Sequence, residues 1–72
     1  MKGTEAMQAI LDREELSITK VSREMGHGKA YLNTLIGEGR ECKLSTLVGF
    51  CEATGYEIVV RSTDDGFEIP IG

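Results

Sequence analysis

The chain has 72 residues, 8 of them Lys or Arg and 12 Asp or Glu, for a net charge of −4, with 40% apolar and 28% charged residues. These are the proportions of a globular chain rather than a disordered or membrane-embedded one, and the length allows one domain, 1–72, with a small core. They exclude a cofactor-binding sheet with crossovers and a deep catalytic cleft.

The single histidine, His27, excludes any centre that needs two imidazoles, and two cysteines, Cys42 and Cys51, are too few for a disulfide scaffold. No run of about 18 apolar residues is present, and Met1 to Ala9 lacks the apolar stretch of a leader. A cytoplasmic protein without membrane contact is expected, with no catalytic residues, no cofactor and no metal.

In chain order, the first predicted element is a helix capped by Thr4, with Glu5 in its first turn, Met7, Ile10 and Leu11 on one stripe, and Leu16 closing it. Asp12, Glu14 and Glu15 read as one solvated helix end. A second helix follows the N-cap Ser17, with Ile18, Val21 and Met25 inward, the small Ser22 beside Val21, and Gly26 as its stop. After the break Gly26-His27-Gly28, a third helix is predicted from about Lys29 to Ile36, with Leu32, Leu35 and Ile36 inward and Gly37-Glu38-Gly39 ending it. Leu44, Leu47, Val48 and Cys51 supply the stripe of a fourth helix, which Gly55 terminates.

Past Gly55 the period changes to two. Tyr56, Ile58 and Val60 fall on one face and Glu57, Val59 and Arg61 on the other; Phe67, Ile69 and Ile71 alternate likewise. The turn-forming run Ser62-Thr63-Asp64-Asp65-Gly66 between them predicts a β-hairpin. Pro70 marks its last strand as an edge. The expected fold is therefore mainly α with a C-terminal β-hairpin (α+β), with helices over about 4–55 and the hairpin over about 56–71. A two-stranded hairpin is marginal alone, so it must pack on the helices or pair with another chain.

The stretch from Ser17 to Gly37 carries the functional signal: two short helices, a glycine turn, and a small residue where the helices cross. With Leu32 and Leu35 as anchors, Lys29, Ala30, Asn33 and Thr34 project outward, as a helix entering a DNA major groove requires. Ser17-Ile18-Thr19-Lys20-Val21-Ser22-Arg23-Glu24-Met25-Gly26 resembles the first helix and turn of the lambda-repressor-like (Cro/XRE) helix-turn-helix family. His27 to Ile36 is similar to its recognition helix, and Leu44-Ser45-Thr46-Leu47-Val48 to its fourth-helix pattern. The resemblance covers Met7 to Gly55 and implies a four-helix core. By position it implies base-edge contacts for Lys29, Ala30 and Thr34, backbone approach at Ser17 and Ile18, and Gly28 and Asn33 flanking the reading face. By their chemistry Lys29 can bind a phosphate or a guanine edge, and Asn33 can pair with adenine. Arg40 and Lys43, in the next loop, are expected phosphate contacts. The sequence departs from the family pattern at His27, Gly28 and Ile36, and it turns to strands where a fifth helix is usual.

Between Ser17 and Lys43 five basic residues, Lys20, Arg23, Lys29, Arg40 and Lys43, face three acidic ones, Glu24, Glu38 and Glu41. Basic charge thus gathers where the motif places DNA, although the whole chain is acidic. These features predict a sequence-specific transcriptional regulator, a small repressor binding double-stranded DNA as a homodimer through its hairpin. The competing expectation is a helix-turn-helix module that binds a protein partner, antitoxin-like or inhibitory. Cys51 is expected in the core, Cys42 on a loop as the more reactive thiol, and His27 solvated, while Tyr31 is placed equally to brace the helix pair or to stack on a base or touch phosphate.

Overall fold

A computed structural model describes residues 1–72 as four α-helices followed by a two-stranded antiparallel hairpin. The expected α+β class and four-helix order are found. Helix α1 spans Gly3–Glu14, α2 Ile18–Glu24, α3 Tyr31–Glu38 and α4 Leu44–Thr54; β1 is Ile58–Arg61 and β2 Glu68–Ile71. No helix is long and apolar enough to cross a membrane.

The start of α1 differs from the sequence expectation. Lys2 takes the cap position, and its N–H donates to Glu5 Oε1 at 2.8 Å. Thr4 lies inside the helix, only 2% exposed, and its hydroxyl donates to the Arg40 carbonyl at 3.1 Å. A hydroxyl buried against the 39–42 loop needs such an acceptor, so the threonine serves packing rather than capping. At the other end Glu15 adopts φ +54°, and the Leu16 N–H returns to the Leu11 carbonyl at 3.0 Å. Leu16 therefore falls beyond the helix and is half-exposed instead of closing its stripe.

Ser17 caps α2 as expected, its Oγ accepting from the Lys20 N–H at 3.3 Å. Helix α3 begins and ends two residues later than predicted. Lys29 and Ala30 belong to the preceding turn, Gly37 lies within the helix, and Gly39, at φ +65°, is the residue that stops it. In α4 the inward stripe is Leu47, Phe50 and Cys51, while Leu44 is 54% exposed. Leu44 sits at the first position of the helix and turns its side chain to solvent. Phe50 lies i+3 from Leu47 and points straight into them.

One small core results. Met7 and Leu11 of α1, Val21 of α2, Leu32 of α3 and Phe50 of α4 are buried together, with Ile10, Ile18, Met25, Tyr31, Leu35 and Leu47 packed around them. Each fully buried apolar side chain contributes about 1.5–3 kcal/mol, so a core of this size tolerates few losses. Helix α2 packs on α3 and α4, and α1 on α3 and α4.

The strands pair in the register Ile58 with Ile71, Val59 with Pro70, Val60 with Ile69 and Arg61 with Glu68. Their turn is closed by the Ser62 N–H on the Phe67 carbonyl at 2.8 Å and by the Phe67 N–H on Asp65 Oδ1 at 3.0 Å. The hairpin meets α4 only at its base, where Ile58, Ile71 and Gly72 approach Val48 and Cys51. Towards the tip Val60, Ile69 and Phe67 are 55%, 55% and 66% exposed. The molecule is accordingly elongated, 41 × 21 × 21 Å, with a radius of gyration of 12.7 Å, against about 11 Å for a compact chain of this length.

Candidate nucleic-acid interface

The turn between α2 and α3 is built from two backbone bonds. The Gly26 N–H donates to the Arg23 carbonyl at 2.9 Å and the His27 N–H to the Ser22 carbonyl at 3.1 Å. This double closure needs a residue in the left-handed region at its centre, and Gly26, at φ +83°, fills it without strain. Ser22 completes the joint. It is fully buried where the helices cross, and its Oγ donates to the Gly28 carbonyl at 2.6 Å. The small residue thus sets the close approach and also fixes the chain leading into α3, a second role that composition alone does not reveal.

From this mount Gly28, Lys29, Ala30, Asn33 and Thr34 are all exposed. Leu32 is buried, and Leu35 and Ile36 are half-buried against the core. Ala30, Asn33 and Thr34 follow the i, i+3, i+4 spacing, so they share one outward face, with Lys29 at its entry. Ser17 is exposed at the start of α2. Ile18 beside it is half-buried, its side chain packed on the core.

Of the two readings of Tyr31, the structure shows its ring packed against the core. The exposed His27 ring stacks on it, with centroids 3.8 Å apart and planes 16° from parallel, a contact that residue spacing does not signal. The stack stiffens the entrance to α3.

The loop after α3 uses several of its charges internally. Arg40 Nη2 meets Glu38 Oε2 at 2.6 Å. Lys2 Nζ donates to the Gly39 carbonyl at 2.7 Å, placing a cation at the negative end of α3. Glu41 Oε1 accepts from the Gly3 N–H at 2.7 Å, placing an anion at the positive end of α1. Lys43 is exposed at the N-cap of α4 and makes no side-chain bond. Of the stretch from Ser17 to Lys43, the charged side chains left without a protein partner are Lys20, Arg23, Lys29 and Lys43, against Glu24 alone.

Cys42 is wedged beside Gly3, half-buried. Burial first, and then the nearby Glu41 carboxylate, push its thiol pKa up, so the loop position does not make it reactive. Cys51 lies in the core, where burial raises its pKa too. Asp12, Glu14 and Glu15 are exposed as expected; Glu14 also accepts from the Tyr56 hydroxyl at 2.6 Å.

Comparison with protein-family models, with curated proteins and with solved structures returns no match.

Proposed function

We propose that this chain is a sequence-specific DNA-binding regulator that lays α3 in the major groove. The carrying observation is the α2–turn–α3 unit. Its joint is fixed by Gly26 and by the Ser22 hydroxyl on Gly28, and it holds Ala30, Asn33 and Thr34 on one exposed face with Lys29 at its edge. An asparagine on such a face offers a donor and an acceptor that match the edge of adenine, and a threonine offers a hydroxyl and a methyl. Lys20, Arg23, Lys29 and Lys43 supply phosphate contacts. The first turn of α2 adds backbone N–H groups at Ser17 and Ile18, and Arg40 can contribute once Glu38 is displaced. In this reading the protein is a cytoplasmic repressor that occupies an operator as a homodimer and uses no catalysis.

The test is selection of bound sequences from a random DNA pool near physiological salt. An enriched palindrome is expected, and Asn33→Ala should relax the preference at one position of each half-site by about 1–3 kcal/mol. Lys29→Ala should weaken all sequences evenly and flatten the salt dependence by about one ion. A folded protein that enriches nothing overturns the proposal.

One observation favours the protein-partner reading instead. A shallow groove along α3, lined by Ala30, Tyr31, Thr34, Leu35 and Glu38, is more apolar than a phosphate-facing surface needs to be. An antitoxin-like or inhibitory module would seat a partner's side chain there.

A further inference from the structure

The hairpin has two outer edges, and the register shows that they are not equivalent. The Ser62 N–H bond to the Phe67 carbonyl marks that pair as hydrogen-bonded. In an antiparallel ladder such pairs alternate, so Val60 with Ile69 and Ile58 with Ile71 are also bonded inside the hairpin. The intervening pairs, Arg61 with Glu68 and Val59 with Pro70, turn their backbone groups outward. Pro70 therefore costs the hairpin no bond of its own. It removes an N–H only from the outer edge of β2, which blunts that edge. The outer edge of β1 keeps the N–H and C=O of Val59 and Arg61, and no turn or loop group of the chain bonds to them.

We infer that two copies of this chain join through the β1 edges in antiparallel fashion, with Val59 opposite Val59 of the second copy, to give one four-stranded sheet. Charge selects this register. It places Glu57, one residue before the strand, opposite Arg61 of the second copy, and does so twice by symmetry. Shifting the centre to Val60 sets Arg61 opposite Val59 and Glu57 opposite Thr63, leaving both charges unpaired.

The same register accounts for the apolar face. Ile58 and Val60 share that face with Phe67, Ile69 and Ile71, because their partners lie directly across the hairpin. Its base is half-buried against α4, while Val60 and Ile69 are 55% exposed in the single chain. In the joined sheet Val60 and Ile69 of each copy fall in one row with Ile58 and Ile71 of the other. A two-fold axis perpendicular to the sheet keeps both helical bodies on one side, so the exposed half of each hairpin lies against the covered half of its mate. An isolated hairpin of four-residue strands is marginal in water, and four strands with a shared apolar face are not.

This inference deepens the homodimer of the proposed function and rests on that reading only for its purpose, since assembly is measured without DNA. Sedimentation of the full chain over about a hundredfold range of concentration should show a monomer–dimer equilibrium. Val59→Pro removes only an outward N–H, so it should leave the helical circular dichroism intact and abolish the dimer. In a Glu68→Gln background, which removes the in-chain neighbour of Arg61 at 3.9 Å, Glu57→Arg and Arg61→Glu should each weaken the dimer by roughly tenfold or more. The double swap should restore it to within about threefold of that background. The charge swap decides the matter if Val59→Pro disturbs the fold. A wild-type chain that stays monomeric throughout overturns the inference, as does a folded Val59→Pro chain that remains a dimer or a double swap no better than its parents. A dimer without DNA affinity would sink the proposed function alone, and a monomer that binds DNA would sink this inference alone.

Discussion

Ser22 offers the sharpest test of how the α2–α3 joint is held. Its side chain is fully buried, and its hydroxyl donates to the Gly28 carbonyl at 2.6 Å. Gly28 O also accepts from the Tyr31 N–H at 3.1 Å, so removing the hydroxyl leaves that carbonyl satisfied. Ser22→Ala should therefore lose the net value of one hydrogen bond, about 1 kcal/mol, without the larger penalty of an orphaned polar group. For a domain of this size that lowers Tm by about 4–8 °C. Ser22→Val makes the same loss and also forces two methyl groups into a crossing that has no space for them, at a further cost of about 1–3 kcal/mol. The valine spreads α3 from α2, so it should also weaken DNA binding at a temperature where all three proteins are folded, while the alanine chain binds nearly as well as the parent. Thermal unfolding followed by far-ultraviolet circular dichroism gives the first quantity, and titration of the selected operator gives the second. A Ser22→Val chain as stable as the parent would refute the claim that this crossing is close-packed.

Three further outcomes are expected. Glu15→Gly should stabilise the chain by about 0.5–1 kcal/mol, because a glutamate at φ +54° is strained where glycine is not, and chemical denaturation reads this directly. Gly3→Ala should destabilise it by about 1–3 kcal/mol, since a β-carbon there would stand 2.8 Å from Cys42 Sγ; adding Cys42→Ala should return part of the loss, and strictly additive effects would disprove the contact. The Phe67 N–H, and then the Ser62 hydroxyl, hold the Asp65 carboxyl below its ordinary pKa. Its folded value lies below its unfolded one, so the stabilisation is present above the unfolded pKa and fades as pH falls through the folded value. Amide protection at the hairpin tip, taken relative to the intrinsic exchange rate at each pH, should fall over that acid range, and Asp65→Asn should abolish that change in protection.

The order of four helices and a hairpin was legible because apolar spacing and glycine punctuation agree along the chain. Gly26 and Gly55 stop helices where predicted, and the change from a helical to a two-residue period after Gly55 is unambiguous. What was not legible depends on contacts far away in sequence. Thr4 has the chemistry of a cap, yet it is buried because the 39–42 loop folds over the start of α1. Leu44 fits a helical stripe, yet it stays 54% exposed, and Phe50 takes the core position instead. Gly37 and Gly39 are equivalent stop signals in a string of letters. Only Gly39 adopts the left-handed conformation, because α3 starts two residues late and its last turn shifts with it. On the candidate interface, the outward face of Ala30, Asn33 and Thr34 could be read from the positions of Leu32 and Leu35. The engagement of Arg40 by Glu38 could not, since it is fixed by the course of the loop rather than by spacing.

Those internal engagements set how strongly the proposed interface can hold DNA. Near the joint and the loop, Arg40 is paired and Glu41 serves the start of α1, which leaves Lys20, Arg23, Lys29 and Lys43 for phosphates. Each neutralised phosphate contributes about −0.9 to the slope of log affinity against log salt, so with Arg40 kept on Glu38 one copy gives a slope near −4 and two copies about −7. An acidic chain with four uncommitted cations binds non-specific DNA weakly, which suits a protein that must find one site among many. The same economy makes a lone copy a poor occupant of any site at physiological salt, and doubling the cations through the β1 edge is the simplest remedy the fold contains. The slope measured on the selected operator therefore counts copies: a value near −7 joins the hairpin to the recognition helix in one mechanism, and a value near −4 on a single short site separates them.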